Sequence, residues 1–283
     1  MQYGVSIKRK CYLLSVLLMT VWLTGCVQEE FESTPSPAGN GIRFTLTVPD
    51  VNLPSVSSRT MTGTGTAKKE DEIETVDILV FDMSKTPAVF LEWVSATGVT
   101  QDLADNSTVS FSAVLSPTTA STCIVVVANK ELDNIVSGFT KGATTKVEAM
   151  EKMLHTQTGK WLADGSTTGG YTRIPMYGEK VISKITPSMD PITGINMKRM
   201  LARIDIRNNS ATSNFTVEEV YLANYNTTGY IAPAWNTNGQ VTDPVPDTPV
   251  LPAGSGKMTE EGDAILYSVN GNTPYDGEIY TFE

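Results

Sequence analysis

The chain has 283 residues, of which 40% are hydrophobic and 18% charged, and its formal net charge at pH 7 is −10. This length and composition exclude a disordered chain and favour either two domains or one large domain with a hydrophobic core. The negative charge argues against a nucleic acid partner, because an anionic surface repels phosphate groups.

The N terminus has the pattern of an export signal. A basic segment, Lys8 to Lys10, precedes an apolar stretch from Cys11 to about Val21. That stretch is shorter than the helix of about 20 apolar residues that crosses a bilayer core of about 30 Å. We therefore predict a removable signal peptide over residues 1–25.

The signal ends in the sequence Leu-Thr-Gly-Cys, which has the form of a lipobox with Cys26 as its last residue. In this interpretation the Cys26 thiol carries a diacylglycerol, and the acyl chains hold the protein at a membrane. Residues 26–40 then form a lipid-anchored flexible tether, since Pro, Ser, Gly and acidic residues follow one another without periodicity. The alternative is an ordinary signal peptide followed by a chance cysteine.

A β-strand is predicted directly after the tether, in the sequence GIRFTLTVPD. Apolar and polar residues alternate there, which is the pattern of a strand that is buried on one face. The apolar positions are Ile42, Phe44, Leu46 and Val48. The next segment, Asn52 to Lys69, is rich in Ser, Thr and Gly and contains Arg59, which predicts a loop.

Two dense runs of β-branched residues, at 73–82 and 123–130, predict central strands that are covered on both faces. Weaker alternation at 89–94 and 109–115 predicts further strands of a sandwich. One helix is indicated by a capping box, in which Thr145 precedes Glu148 by three residues and apolar residues follow at helical spacing.

A second strand-rich region begins after Pro187 and Pro191, so we place a domain boundary near residue 190. A strand is expected over 215–224 in this region. The last residues, 277–283, alternate like the start of an unpaired apolar strand. We therefore expect the second domain to be incomplete in this chain.

The residues that could carry chemistry do not form a pattern of catalysis. His155 is the only histidine, which excludes most nucleophilic and multi-histidine metal sites. We interpret it as a solvated histidine on the predicted helix. The acidic run from Glu70 to Glu74 is interpreted as a solvated charge cluster, because calcium-loop spacing is absent. Cys123 is expected to be a buried core residue without a disulfide partner. From these three observations together we predict no enzyme activity, metal or cofactor.

Five segments together resemble the fimbrillin family, the type V pilins. They are RFTLTV, IETVDILVFD, CIVVVANK, IPMYGE and MKRMLARIDI, of which the last two are the most specific. The resemblance extends over nearly all of residues 23–283. It implies a mostly β fold of two transthyretin-like β-sandwich domains with one short inserted helix, over 41–190 and 191–283.

The family resemblance also implies a maturation mechanism. Family members are exported as lipoproteins to the outer membrane, and an Arg-specific protease removes their first strand. In this sequence the match makes 41–59 the removable strand and cleavage loop, with cleavage between Arg59 and Thr60. The implied product is a subunit of cell-surface fimbriae that polymerises with other fimbrial subunits by strand exchange and supports adhesion.

The main alternative at this point is a surface lipoprotein that never polymerises, and a secreted hydrolase is the weakest of the three classes, since paired carboxylates converge only in the fold. The surface lipoprotein could be a fimbrial anchor or tip, or a module that binds a glycan or another ligand on a host or bacterial surface. Three tryptophans could stack on sugar rings, although tryptophans of a sandwich are more often buried. They are Trp93, Trp161 and Trp235.

Overall fold

A computed structural model describes residues 41–48, 70–101, 108–162, 172–208, 214–232, 234–239, 241, 251–252, 264–272 and 275–282. All of these residues belong to one compact unit, Asn40–Glu283. The predicted lipidation site Cys26 and the predicted cleavage site, Arg59 and Thr60, lie outside the described residues. Neither helix found in the described ranges has the length and hydrophobicity of a membrane span.

The described fold is mostly β, as predicted. Its strands are β1 (Ile42–Thr47), β2 (Val76–Asp82), β3 (Val89–Ser95), β4 (Thr97–Gln101), β5 (Thr108–Ala113), β6 (Thr122–Ala128), β7 (Leu154–Thr156), β8 (Met176–Ile182), β9 (Ile192–Asn196), β10 (Lys198–Arg199), β11 (Leu201–Ile206), β12 (Glu219–Leu222), β13 (Thr228–Tyr230), β14 (Ile265–Ser268) and β15 (Tyr275–Phe282). The helices in the described ranges are α1 (Asp133–Val136) and α2 (Lys146–Lys152).

Two sheets pack face to face as a β-sandwich. One has the strand order β4-β5-β1-β9, and the other has the order β10-β8-β6-β2-β3. Apolar side chains of β1, β5 and β9 share one core with the inward side chains of β2 and β6. This arrangement satisfies the one-sided alternation of β1, because its apolar face is buried and its polar residues point away from the core.

The five-stranded sheet is covered on its other face as well, which confirms the prediction from the two apolar runs. Every residue of β6 is buried, and so are the first six residues of β2. A second core on this face combines Leu79 and Val127 of the sheet with Met150 of α2 and Phe282 of β15. The continuous apolar sequences of β2 and β6 are therefore explained by two covered faces.

The remaining strands form pairs, β7 with β13, β11 with β15, and β12 with β14, all antiparallel. The expectation of an unpaired apolar strand near the end of the sequence is wrong, since β15 pairs with β11 from Tyr275 to Phe282. Phe282 also packs on Gly229, where an added Cβ would lie 2.5 Å from its ring. A small residue is thus required at Gly229.

The capping box at the start of α2 is confirmed. The backbone N–H of Glu148 donates to the Thr145 hydroxyl at 3.2 Å, and the Glu148 carboxylate accepts from the Thr145 N–H at 2.8 Å. Helix α1 was not predicted, because its four residues are too few to show a helical period.

Strand pairing crosses the predicted domain boundary near residue 190. β9 pairs with β1, and β10 pairs with β8, although both follow Pro191. The first sandwich therefore includes residues up to Arg199. The division into two domains, at 41–190 and 191–283, stays a prediction.

Candidate functional site

The candidate site is the place that β1 occupies in the four-stranded sheet. β1 lies between two strands that come much later in the sequence, antiparallel to β5 and parallel to β9. The β5 register pairs Ile42 with Ala113 and Thr47 with Thr108, without a shift. β1 is therefore an internal strand, and its backbone is paired along both edges.

All four apolar residues of the predicted strand are buried. Their exposed fractions are 4% for Ile42, 1% for Phe44, 0% for Leu46 and 1% for Val48. The Phe44 ring stacks on Phe111 of β5, with ring centroids 5.0 Å apart and an angle of 6° between the planes. β1 thus fills an apolar groove, which we call the β1 groove and define as the space between β5 and β9.

The inner wall of the β1 groove is apolar along its length. Side chains of β2 and β6 lie in the same core as the β1 residues, and Ile73, which precedes β2, joins them at 5% exposure. The inner-wall residues of the two strands are Val76, Ile78, Val80, Ile124 and Val126. The groove can therefore hold an apolar, extended segment by backbone pairing and burial, which is the physical basis of β-augmentation.

The far end of β1 is held by residues that follow β9. The N–H of Met197 donates to the carbonyl of Thr47 at 2.9 Å. Gly178 of β8 lies against the same segment, since an added Cβ there would be 2.7 Å from the Met197 sulfur and 2.8 Å from Ile195. The glycine of the IPMYGE motif therefore allows β8 to approach β9 and the end of the β1 groove closely.

Sequence reasoning identified the strand that fills the groove but missed one of its two neighbours. β9 was not predicted, because PITGIN is short and contains Gly194 with a positive φ of 71°. Its apolar residues Ile192 and Ile195 are three positions apart, which matches neither a regular strand nor a clear helix. The bulge in its pairing with β1, between Phe44 and Leu46, accounts for that spacing.

The acidic run that follows the predicted cleavage loop is not a solvated cluster, so that prediction is wrong. Glu70 is only 4% exposed, and its carboxylate accepts hydrogen bonds from Arg203 Nη1 at 2.8 Å and from Tyr280 Oη at 2.7 Å. Asp71 pairs with Arg199. The pairing arises because a buried carboxylate needs a compensating charge.

The rest of the run pairs with Arg173. Its guanidinium contacts Glu72 at 3.1 Å and Glu74 at 2.6 Å. The arginines of this network lie at the two segments that carry the strongest family resemblance. Arg173 directly precedes IPMYGE, and Arg199 and Arg203 belong to MKRMLARIDI. In the part of the chain that the structure describes, no group of three or more His, Cys, Asp or Glu side chains could hold a metal ion.

His155 is neither helical nor solvated, so its prediction is also wrong. It lies on β7, with its ring 5.0 Å from Trp161 and 6.4 Å from Phe282 between centroids. Both ring nitrogens are buried and have no hydrogen-bond partner. Burial, assisted by the positive charge of Lys130, lowers the pKa of His155 to about 4.

Cys123 is buried, as predicted. Its thiol is free and lies on the face of β6 that packs against the helices. Burial raises the pKa of Cys123 to about 12, although the nearby Lys146 ammonium opposes this shift. A thiol in such an environment is not a nucleophile at neutral pH.

The aromatic residues considered for sugar binding differ in exposure. Trp161 is 4% exposed, and its indole N–H donates to the carbonyl of Thr172 at 2.9 Å. Trp235 is half-buried and packs edge to face on Tyr230, with centroids 4.9 Å apart. Trp93 is also half-buried and packs against the core. Trp161 is therefore a core residue and is not available to a ligand.

Comparisons with known proteins place a family model on most of the chain. The family model described as major fimbrial subunit protein (FimA) matches residues 42–245. No curated protein matches the chain at a significant level.

The solved structures that are similar to the chain include three of low identity. A candidate cell adhesion protein from Parabacteroides distasonis is 18% identical, with a TM-score of 0.47, and the match covers 87% of this chain and 71% of that one. A fimbrial assembly protein from the same species is 12% identical, with a TM-score of 0.39 and coverages of 84% and 88%. Candidate polysaccharide-binding proteins from Bacteroides thetaiotaomicron are 12% identical, with a TM-score of 0.36 and coverages of 86% and 76%.

The assignment rests on the family model, which spans most of the chain, begins at the first residue of β1 and includes both segments with the strongest motif resemblance. The resemblance to the fimbrillins inferred from the sequence is thereby confirmed. The chain belongs to the family of major fimbrial subunit proteins (FimA), which are structural subunits of cell-surface fimbriae.

Proposed function

We propose that this fimbrial subunit is exported as a lipoprotein, cut after Arg59 and polymerised by strand exchange in the β1 groove. The observation that carries the proposal is the position of β1, an internal strand whose three apolar side chains are buried, as is Val48 directly after it. The segment with Arg59 follows in the sequence. After cleavage, β1 is no longer linked to the rest of the chain by a peptide bond and can leave.

The energetics favour an exchange over a simple loss of β1. Burial of an apolar side chain contributes about 1.5–3 kcal/mol, so the four buried side chains at 42–48 contribute about 6–12 kcal/mol. That is comparable with the whole stability of a typical domain, about 5–15 kcal/mol. A cut subunit without β1 would expose an apolar groove and two unpaired strand edges, which favours binding of a strand from another subunit.

The intact chain is expected to stay monomeric because its own strand occupies the groove. Intramolecular β1 has a high effective concentration, so a strand from another chain cannot compete while the peptide bond persists. Lipidation at Cys26 would hold this precursor at the outer membrane, since acyl chains partition into the bilayer. Cleavage at Arg59 would then release the subunit from its anchor and open its groove in one step.

A second candidate is a subunit that keeps its lipid and serves as an anchor or tip, or binds a glycan. The half-buried pair of Trp235 and Tyr230 offers aromatic surface of the kind that stacks on sugars. Burial of Trp161 weakens this alternative. The two candidates differ in whether the chain oligomerises after cleavage.

The test uses a chain of residues 27–283, treated with an Arg-specific protease. We expect an N terminus at Thr60 and a ladder of oligomers on gel filtration and non-boiled electrophoresis. Arg59→Ala should stay intact and monomeric, while Arg43→Ala, at an exposed position of β1, should behave like the wild type. A chain that is cut at Arg59 and remains monomeric would contradict the proposal and favour the second candidate.

A peptide competition shows whether the groove is the binding site. A synthetic peptide of residues 41–48 should block oligomers of the cut chain. The same peptide with Phe44 and Leu46 replaced by serine should have no effect, because those two large side chains are almost completely buried. Equal inhibition by both peptides would place the contact elsewhere.

A further inference from the structure

Residues 70–75, which we call the anchor segment, connect the predicted cleavage loop to β2. Their first residue, Glu70, is bound by side chains of β11 and β15. Arg203 Nη1 lies 2.8 Å and 3.0 Å from its two carboxylate oxygens, and the Tyr280 hydroxyl donates to one of them at 2.7 Å. Arg203 also donates to Asp205 at 2.9 Å. Breaking such a buried pair is costly, because the remaining charge is left without compensation.

The middle of the anchor segment is held by Gln101 of β4. The Gln101 side-chain amide donates to the carbonyl of Asp71 at 2.7 Å, and its oxygen accepts from the N–H of Ile73 at 3.1 Å. These two bonds replace the strand pairing that the segment lacks at this point. They fix the backbone on either side of Glu72.

The end of the segment is held by Asn129, which follows β6 with a positive φ of 58°. Its side-chain amide donates to the carbonyl of Glu72 at 2.8 Å, and its oxygen accepts from the N–H of Glu74 at 3.0 Å. Its own N–H donates to the carbonyl of Thr75 at 3.0 Å. Asparagine tolerates this left-handed conformation better than most residues, which explains its presence here.

These contacts determine where Ile73 lies. Ile73 is 5% exposed and belongs to the same core as Phe44 and Leu46 of β1. Its fixed position therefore shapes the wall of the β1 groove. All of the named partners of the anchor segment follow Arg59 in sequence and stay with the cut chain. They are Gln101, Asn129, Arg173, Arg199, Arg203 and Tyr280.

We propose that Glu70 is a positioning residue of the β1 groove, which holds the anchor segment so that Ile73 keeps its place when β1 has left. This inference rests on the proposed function, since it concerns the state after cleavage. The network limits the effect of cleavage to β1. The cut removes the covalent link of β1, whereas the anchor segment retains its partners. The groove then has its final shape before an incoming strand arrives.

The experiment measures binding of a fluorescent peptide of residues 41–48 to the chain 27–283 cut after Arg59. Glu70→Gln is expected to lower the affinity for the peptide about tenfold or more, because it removes a charged, buried hydrogen-bonding partner. Glu131→Gln, the same chemical change at an exposed carboxylate, should change the affinity by less than about twofold.

A general loss of stability is separated from positioning by Met150→Ala. Met150 is fully buried on the opposite face of the five-stranded sheet, so this variant lowers the melting temperature without touching the groove. Its peptide affinity should stay within about twofold of the wild type, because distant sites act independently. Wild-type affinity of Glu70→Gln, or an equal loss in Met150→Ala, would overturn the proposal.

Two further measurements keep the test decisive. If Glu70→Gln does not fold, Tyr280→Phe removes one hydrogen bond to the Glu70 carboxylate and should weaken peptide binding about threefold or more. If the chain is not cut at Arg59, the proposed function fails, but Glu70 can still be tested by hydrogen exchange of the intact chain. Glu70→Gln should then speed exchange at 42–47 more than Met150→Ala does, and an equal effect of both would overturn the inference.

Discussion

The rings of Phe44 and Phe111 lie nearly parallel, 5.0 Å apart, because the β1–β5 register places the two residues directly opposite each other. They face the core, at 1% and 3% exposure. An aromatic pair in this position joins the strand that is predicted to leave to a strand that stays. It therefore links the stability of the intact chain to the occupancy of the β1 groove.

Phe44→Ala is expected to lower the free energy of unfolding of the intact chain by about 3–5 kcal/mol, since it removes a large buried side chain and leaves a cavity. Chemical denaturation of residues 27–283 measures this change. Thr47→Ala, at an exposed position of the same strand, should stay within about 0.5 kcal/mol of the wild type. Similar losses for the two variants would show that the β1 groove is not filled in solution.

Gly178→Ala should destabilise the chain by about 1–3 kcal/mol, because its Cβ would overlap Met197 and Ile195 and force β9 to move. Thermal unfolding measures the loss. The matched control is Gly138→Ala, at an exposed glycine where the nearest atom to an added Cβ is a carbonyl oxygen at 3.6 Å. A neutral Gly178→Ala would mean that β8 and β9 approach each other less closely than described.

The thiol of Cys123 should not react in the native chain. Its pKa of about 12, raised by burial, leaves almost no thiolate at pH 8. In residues 27–283 Cys123 is the sole cysteine, so the colour released from a chromogenic disulfide reagent measures the reaction of this thiol alone. We expect complete modification in denaturant and little without it. Rapid labelling of the folded chain would contradict the buried position of β6.

The stability of the chain should fall as the pH decreases from about 6.5 to about 4. The pKa of His155 is about 4 in the folded chain, below its ordinary value of 6.5, because burial disfavours the charged ring. In this window the unfolded chain binds a proton that the folded chain does not, so the free energy of unfolding decreases with falling pH. The loss should amount to at most about 2 kcal/mol, since the residue as a whole is only half-buried and solvent screens part of the effect.

His155→Phe provides the control for this pH dependence. Phenylalanine keeps an aromatic ring against Trp161 and Phe282 but cannot bind a proton. Denaturant titrations at several pH values should give the variant a shallower slope between pH 6.5 and pH 4 than the wild type. Identical slopes would mean that the His155 ring is solvated.

The sequence predicted the structure best where the pattern within a short segment directly reflects the burial of that segment or a contact within it. Alternation at 42–48 indicated a strand with one buried face, and the runs at 73–82 and 123–130 indicated strands with two. The capping box located α2 because its two residues contact each other three positions apart. Each of these signals comes from neighbours along the chain, so it survives without knowledge of the fold.

His155 and Glu70 show where that information ends. His155 was placed on a helix because it follows the α2 pattern, but α2 ends at Lys152 and the next residues pair with β13. Glu70 was predicted to be solvated because the acidic run lacks the spacing of a calcium loop. Its partners Arg203 and Tyr280 are 133 and 210 residues away. Pairing between distant residues leaves no local trace.

By itself the sequence determined that residues 42–48 form a half-buried strand and that the two apolar runs are central, because side-chain periodicity reflects burial directly. It did not determine which strands flank β1 or what holds the segment after the predicted cleavage loop. Only the tertiary structure decided these points, by placing β1 between β5 and β9 and Glu70 beside Arg203 and Tyr280. Strand edges and buried charges can be satisfied by many partners, and only the packed chain selects one.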